Sequence, residues 1–163
     1  MPTHVPTLHL VCGKIAAGKS TLTDRLGQQP GTVVVAEDHW LARLYPGEQI
    51  SLADYARNAA RLRDAMAPHL VALLRLGLSV VLDFPANTVA SRAWMRTLFE
   101  AAGVAHQLHV LDVPDAVCKA RLRLRNAEGA HPFTVTDAEF DLFSRYFVPP
   151  DPEEGFTLVV HRA

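Results

Sequence analysis

Cysteine is nearly absent from this sequence: Cys12 and Cys118 are the only two, and they form no Cys-x-x-Cys pair. That excludes a disulfide scaffold and fits a reduced, buried thiol in a reducing compartment. The eight histidines show neither His-x-x-x-His nor mixed Cys/His spacing, which argues against a dedicated zinc site. An excess of charge of either sign is also missing. A net charge of −1 gives no global basic field to recruit nucleic acid, although a local groove stays open as an alternative. Long apolar runs are lacking too, since the most apolar segment, Leu70 to Leu82, is interrupted by Arg75 and Gly77. Met1-Pro2-Thr3-His4 does not begin a basic-then-apolar signal pattern. Together these absences predict a soluble, cytoplasmic protein. Hydrophobic content of 49% and charged content of 20% are ordinary for a folded chain, and 163 residues predict one domain, 1–163.

What is present is more specific. Gly13-Lys14-Ile15-Ala16-Ala17-Gly18-Lys19-Ser20 is a complete Gly-x-x-x-x-Gly-Lys-Ser phosphate loop. An apolar stretch, Thr7 to Cys12, precedes it and reads as a buried strand. Thr21 to Leu26 follows with Leu22, Arg25 and Leu26 at helical spacing. In that context the glycines let successive backbone N–H groups and a helix N-terminus converge on an anion. Lys19 is placed to reach the β- and γ-phosphates and the Ser20 hydroxyl to coordinate magnesium, with Gly13 to Thr21 as the nucleotide-binding segment. The implied ligands are ATP and Mg2+.

Strand and helix signals alternate along the rest of the chain. Thr32 to Ala36 is a β-branched run ending at Glu37-Asp38. Ser51 with Asp54 opens a long helix, in which Pro68 is expected to make a kink or a break and which Gly77 ends. Ser79 to Asp83 reads as a strand, Thr88 to Ala102 as a helix closed by Gly103, and His106 to Val113 as a strand. Pro114 starts another helix, Thr136 and Glu139 cap a short one, and Thr157 to Val160 reads as the last strand. This alternation predicts a parallel sheet with helices on both faces, and ligands beyond the carboxyl ends of the strands. Gly13 to Ser20, Glu37-Asp38, Asp83 to Asn87 and Asp112 then share one rim.

Absences narrow the class. There is no Asn-Lys-x-Asp stretch to read guanine, no Leu-Ser-Gly-Gly-Gln signature, and no strand ending in Asp-Glu. Small kinases remain. Asp38, at the end of the second strand, resembles the catalytic aspartate of phosphate-loop kinases such as chloramphenicol phosphotransferase, zeta toxins and phage-type polynucleotide kinase. The resemblance implies an adenylate-kinase-like P-loop NTPase fold, three layers α/β/α around a five-stranded parallel sheet, with a small lid at about 126–136. It also implies ATP-dependent transfer of the γ-phosphate to a hydroxyl, with Asp38 orienting or deprotonating the acceptor. Glu37 is the rival for that role, and one of the pair should face the site while its neighbour faces away.

Asp83, Asn87 and Arg92 are similar to the Asp-x-Thr-Asn segment of polynucleotide kinases. Phe84-Pro85-Ala86 makes the spacing one residue longer, which weighs against a nucleic-acid 5′-hydroxyl acceptor. Asp83 is a candidate for magnesium or acceptor, or for a helix N-cap. Arg121 and Arg125 share a helix face and Arg123 points elsewhere. Followed by Asn126 to Phe133, they resemble the arginine-bearing lid of adenylate-kinase-like enzymes, which implies that they neutralise the transferring phosphoryl group. The polar run around Gly129 has few apolar anchors, so Asn126 to Phe133 is expected to be mobile without nucleotide and to order when ATP binds. Trp40, Tyr45, Arg57 and Arg61 lie where related kinases bind the acceptor, and Trp40, Tyr45 and Arg61 join Asp83, Asn87 and Arg92 as substrate-binding candidates. His39 and His131 lie near this region in sequence, with structural roles expected for both. The expected partners are ATP and a small-molecule acceptor. A polynucleotide acceptor, or a nucleotide-gated binding role without transfer, are the alternatives.

Overall fold

The computed structural model describes residues 4–48, 50–129 and 134–162. Five strands form one parallel sheet: β1 (Thr7–Cys12), β2 (Thr32–Ala36), β3 (Ser79–Pro85), β4 (Ala105–Asp112) and β5 (Leu158–Arg162), in the order β2-β3-β1-β4-β5. The helices are α1 (Lys19–Gly27), α2 (Glu37–Leu44), α3 (Leu52–Arg75), α4 (Val89–Ala102), α5 (Asp115–Glu128) and α6 (Asp137–Ser144). β1 is the central strand, and its residues from Leu8 to Cys12 are buried, as expected for a strand covered on both faces. The chain leaves β1 for β2 on one side and later crosses to β4 on the other. The phosphate loop therefore sits at the switch point where such sheets bind ligands.

Alternation along the strands divides the core. Leu8, Leu10, Val80, Leu82, Phe84 and Leu108 pack with Leu62, Met66 and Leu70 of α3 and with Met95 and Leu98 of α4. On the opposite face Val11 and Val81 pack with Leu22 and Leu26 of α1. The Ser51–Asp54 and Thr136–Glu139 capping boxes both form, and Thr88 caps α4.

Four expectations are corrected. α3 is not divided at Pro68 but runs unbroken from Leu52 to Arg75. Pro68 and Asp64, whose carbonyl loses its N–H partner, both lie on the exposed side, where water can replace the missing bond. Asp83 is not a helix cap: it lies within β3, and Thr88 has the capping role. Glu37 and Asp38 open a helix, α2, whose buried Glu37 and Leu41 lie four apart. Pro114 caps α5 rather than occupying its first turn.

No helix among the described residues is long and apolar enough to cross a membrane.

Candidate functional site

The loop after β1 is shaped by two left-handed residues. Gly18 has φ +103°, and Ala16, at φ +61°, is the one non-glycine with positive φ among the described residues. Ala17 N–H donates to the Lys14 carbonyl at 3.1 Å, which closes the turn. α1 begins immediately after Gly18 with no side-chain cap and no acidic residue in its first turn. Its leading N–H groups are therefore left for an anion, and alternating backbone handedness makes the concavity. Gly13 is required by close approach, since a Cβ there would stand 3.0 Å from Leu111 Cβ. Lys19 forms no salt bridge among the described residues, whereas Lys14 is paired with Asp115 at 2.8 Å.

Asp83 faces the same side of the sheet as Val81, toward α1. The β1–β3 register slips between Leu10 and Val11, which moves the partner from Leu82 to Pro85 and bulges β3 at Asp83 and Phe84. The carboxyl of Asp83 is half-buried, and burial raises its pKa. Asp38 and Asp24 push it the same way, while Lys19 and His39 oppose them. Asp38, Asp83 and Lys19 are thus one electrostatic cluster at the rim. A half-buried carboxylate among other acids, with the exposed Ser20 at the start of α1 on the same rim, fits a divalent cation. Among the described residues no group of three or more His, Cys, Asp or Glu could cage a metal, so such an ion would take its remaining ligands from phosphate and water.

Glu37 and Asp38 face different ways. Glu37 is buried; its Oε1 accepts from the Tyr55 hydroxyl at 2.5 Å and its Oε2 from Arg63 Nε at 3.3 Å. Asp38 is exposed. Tyr55 and Arg63 were not singled out in the sequence, and only the helical spacing of α3 relates them. Arg63 also donates to Ser91 Oγ at 3.1 Å and lies over the Trp94 ring at 5.3 Å. It therefore ties α3 to α4 beneath the rim.

Two sequence candidates are committed elsewhere. Arg92 is fully buried. Its Nε and Nη2 pair with the Glu154 carboxylate at 2.9 and 3.2 Å, and Nη1 donates to the Ala86 and Val148 carbonyls. Fully buried and with four of its five N–H donors engaged, it is withheld from a substrate and instead anchors the segment that leads to β5. Replacing Arg92 with leucine leaves Glu154 only its bond from the Asp151 N–H and takes a donor from two carbonyls, with an expected loss of about 3 kcal/mol of stability, read from the urea midpoint. A loss under about 1 kcal/mol would contradict this role.

Asn87 clasps the phosphate loop: Gly13 N–H donates to its Oδ1 at 3.0 Å, and its Nδ2 donates to the Gly13 carbonyl at 3.1 Å. Its amide is therefore also unavailable to a substrate. Asn87→Ala frees the first loop glycine, and titration with an ATP analogue is expected to show affinity about tenfold lower. Unchanged affinity would mean that the clasp does not hold the loop in shape.

Trp40 (46% exposed) and Arg61 remain open to solvent, Tyr45 packs half-buried against the main core, and Arg57 is paired with Asp54 at 2.9 Å. On α5, Arg121 Nη1 leans on the Ala17 carbonyl at 3.4 Å, and Arg123 is bound away to Asp137. Arg125 carries a buried Nε without a partner among the described residues. His39 is exposed beside Asp83. His131 and the centre of the expected lid, 130–133, lie outside the described residues.

A cleft of about 420 Å³ adjoins the loop, lined by Ala17, Gly18 and Thr21 on one side, Arg121 on the other, and Leu111 and His161 from β4 and β5. Its size suits a nucleoside.

Residues 8–150 match the family described as an AAA domain. Among solved structures, a candidate kinase from Chloroflexus aurantiacus J-10-fl is 22% identical with a TM-score of 0.74, covering 98% of this chain and 86% of that one. The APS kinase CysC of Mycobacterium tuberculosis, in complex with AMPPNP and APS, is 22% identical with a TM-score of 0.59, covering 97% and 90%. A component of the PezAT toxin–antitoxin system of Streptococcus pneumoniae is 17% identical with a TM-score of 0.67, covering 98% and 70%. These likenesses show an α/β P-loop NTPase-like fold, shared with kinases. No curated protein matches the chain.

Proposed function

The chain belongs to the AAA-domain family of P-loop proteins, and from that premise we propose that it is an ATP-dependent phosphotransferase acting on a hydroxyl of a small molecule. One observation carries the reading. The exposed carboxylate of Asp38 shares a rim with Lys19 and Asp83, next to a phosphate loop whose N–H groups are uncapped. The loop backbone and Lys19 hold the β- and γ-phosphates. Asp38 orients the acceptor hydroxyl and takes its proton as the phosphoryl group transfers, and Arg121 and Arg125 offset the charge on the transferring group. Magnesium, on the Ser20 hydroxyl and through water on Asp83, would neutralise phosphate charge. The nucleoside occupies the cleft between α1 and α5. Catalysis of this kind is chiefly positioning and electrostatics.

The acceptor region retains Trp40, Arg61 and Asp83, whereas Asn87 and Arg92 serve the scaffold. That removes most of the segment on which a polynucleotide acceptor rested. A screen of sugars, antibiotics and other small alcohols with labelled ATP tests the proposal. The expected result is an acid-stable phosphate ester on one class of alcohol, and label confined to inorganic phosphate would contradict it.

A further inference from the structure

Three histidines on three adjacent strands form a continuous hydrogen-bonded row. His9 Nδ1 lies 3.0 Å from His109 Nε2, and His109 Nδ1 lies 2.9 Å from His161 Nε2. Strand register explains the row. Val11, not His9, is level with His109, and Leu111, not His109, is level with His161. Each imidazole therefore stands two residues nearer the carboxyl rim than the one before it, the diagonal spacing at which long side chains meet across strands. The row begins at buried His9, passes through buried His109, and ends at His161 in the lining of the cleft beside the phosphate loop.

We propose that His161 reads the nucleoside in this cleft and that His109 and His9 are positioning residues, a relay that fixes the ring plane of His161 and the hydrogen-bond polarity it offers. The proposal rests on the nucleotide-binding reading above.

The chemistry follows from counting protons. In a neutral imidazole one nitrogen donates and the other accepts. If His9 Nδ1–H donates to His109, then His109 Nδ1–H donates to His161, and His161 must present Nδ1–H to the cleft. If the row runs the other way, His161 presents a bare Nδ1. A ligand that bonds to His161 Nδ1 therefore selects the direction of all three rings. The charged groups that line the cleft with His161 are Arg25 from α1, Arg121 on α5, and Arg162 on β5 with its partner Asp112 at 3.4 Å. Their balance is positive, so an added proton is opposed. Burial lowers the pKa of all three rings and takes His109 to about 4, with the neighbouring histidines and Arg25 acting in the same direction. The folded-state values lie below the unfolded ones. The row is therefore neutral and stabilising above about pH 6.5, and its stability is lost as pH falls toward 4.

The test is histidine ring 15N NMR on the whole protein, with and without a non-hydrolysable ATP analogue, followed by His109→Leu. In the native protein the nucleotide should shift the ring signals of His161, His109 and His9, although His9 is two rings removed from the cleft. In His109→Leu the shift should be confined to His161, because the hydrogen-bonded path to His9 is cut. His161→Leu should weaken binding about three- to tenfold. Nucleotide binding with no shift at His109 or His9 overturns the relay alone. Absence of nucleotide binding overturns the relay together with the phosphotransferase reading. The native-protein measurement decides the matter even if His109→Leu does not fold.

Discussion

Replacing Lys19 with alanine is expected to lower phosphate transfer from ATP by about 10³-fold, at or beyond the upper end of what loss of one preorganised electrostatic group costs. The reason is positional. Lys19 is the first residue of α1, immediately after the left-handed Gly18, and no carboxylate among the described residues forms a salt bridge with it. Its ammonium is thus left without a carboxylate partner there, unlike that of Lys14, which Asp115 has engaged. Thermal unfolding should change little, because the Lys19 side chain is not part of the core clusters. A Lys19→Ala protein that folds and transfers phosphate within about tenfold of the native rate would show that the loop is not the phosphate cradle of this reaction.

Asp38→Asn is expected to separate binding from chemistry. Nucleotide affinity should stay within about twofold, while transfer falls about 10²- to 10⁴-fold, the range for loss of a positioned general base. The neighbouring Glu37 cannot easily substitute. It is buried, with one oxygen on Tyr55 and the other on Arg63, and the pKa of the Tyr55 phenol is pushed far up by burial and by the Glu37 charge. Glu37→Gln should consequently act on stability first and on transfer second. If Asp38→Asn keeps the native rate while Glu37→Gln loses it, the roles of the two carboxylates are exchanged.

The sequence spoke clearly where a local rule dictates structure. The loop spacing marked a helix over Thr21 to Leu26, which the structure begins two residues earlier at Lys19, and the capping boxes at Ser51 and Thr136 marked the starts of α3 and α6. β-branched runs marked β2 and β3, and alternation of elements gave the parallel sheet. It was silent where the answer depends on what a side chain meets across the fold. Asn87 and Arg92 carry groups suited to a substrate, but Gly13 and Glu154, 74 and 62 residues distant, occupy them. The bulge at Asp83 and the histidine row arise from strand register, which no single stretch of sequence encodes. α2 escaped notice because its eight residues offer only one buried pair, Glu37 and Leu41.

The most direct test of the central claim is transfer of label from γ-labelled ATP to a pool of small alcohols, with native protein and Asp38→Asn run side by side under saturating nucleotide. A phosphate monoester formed by the native protein and lost in Asp38→Asn, with ATP still bound by both, is the predicted result. ATP bound equally by both proteins, with no ester formed by either across the pool, would contradict the assignment of this site as a phosphotransferase.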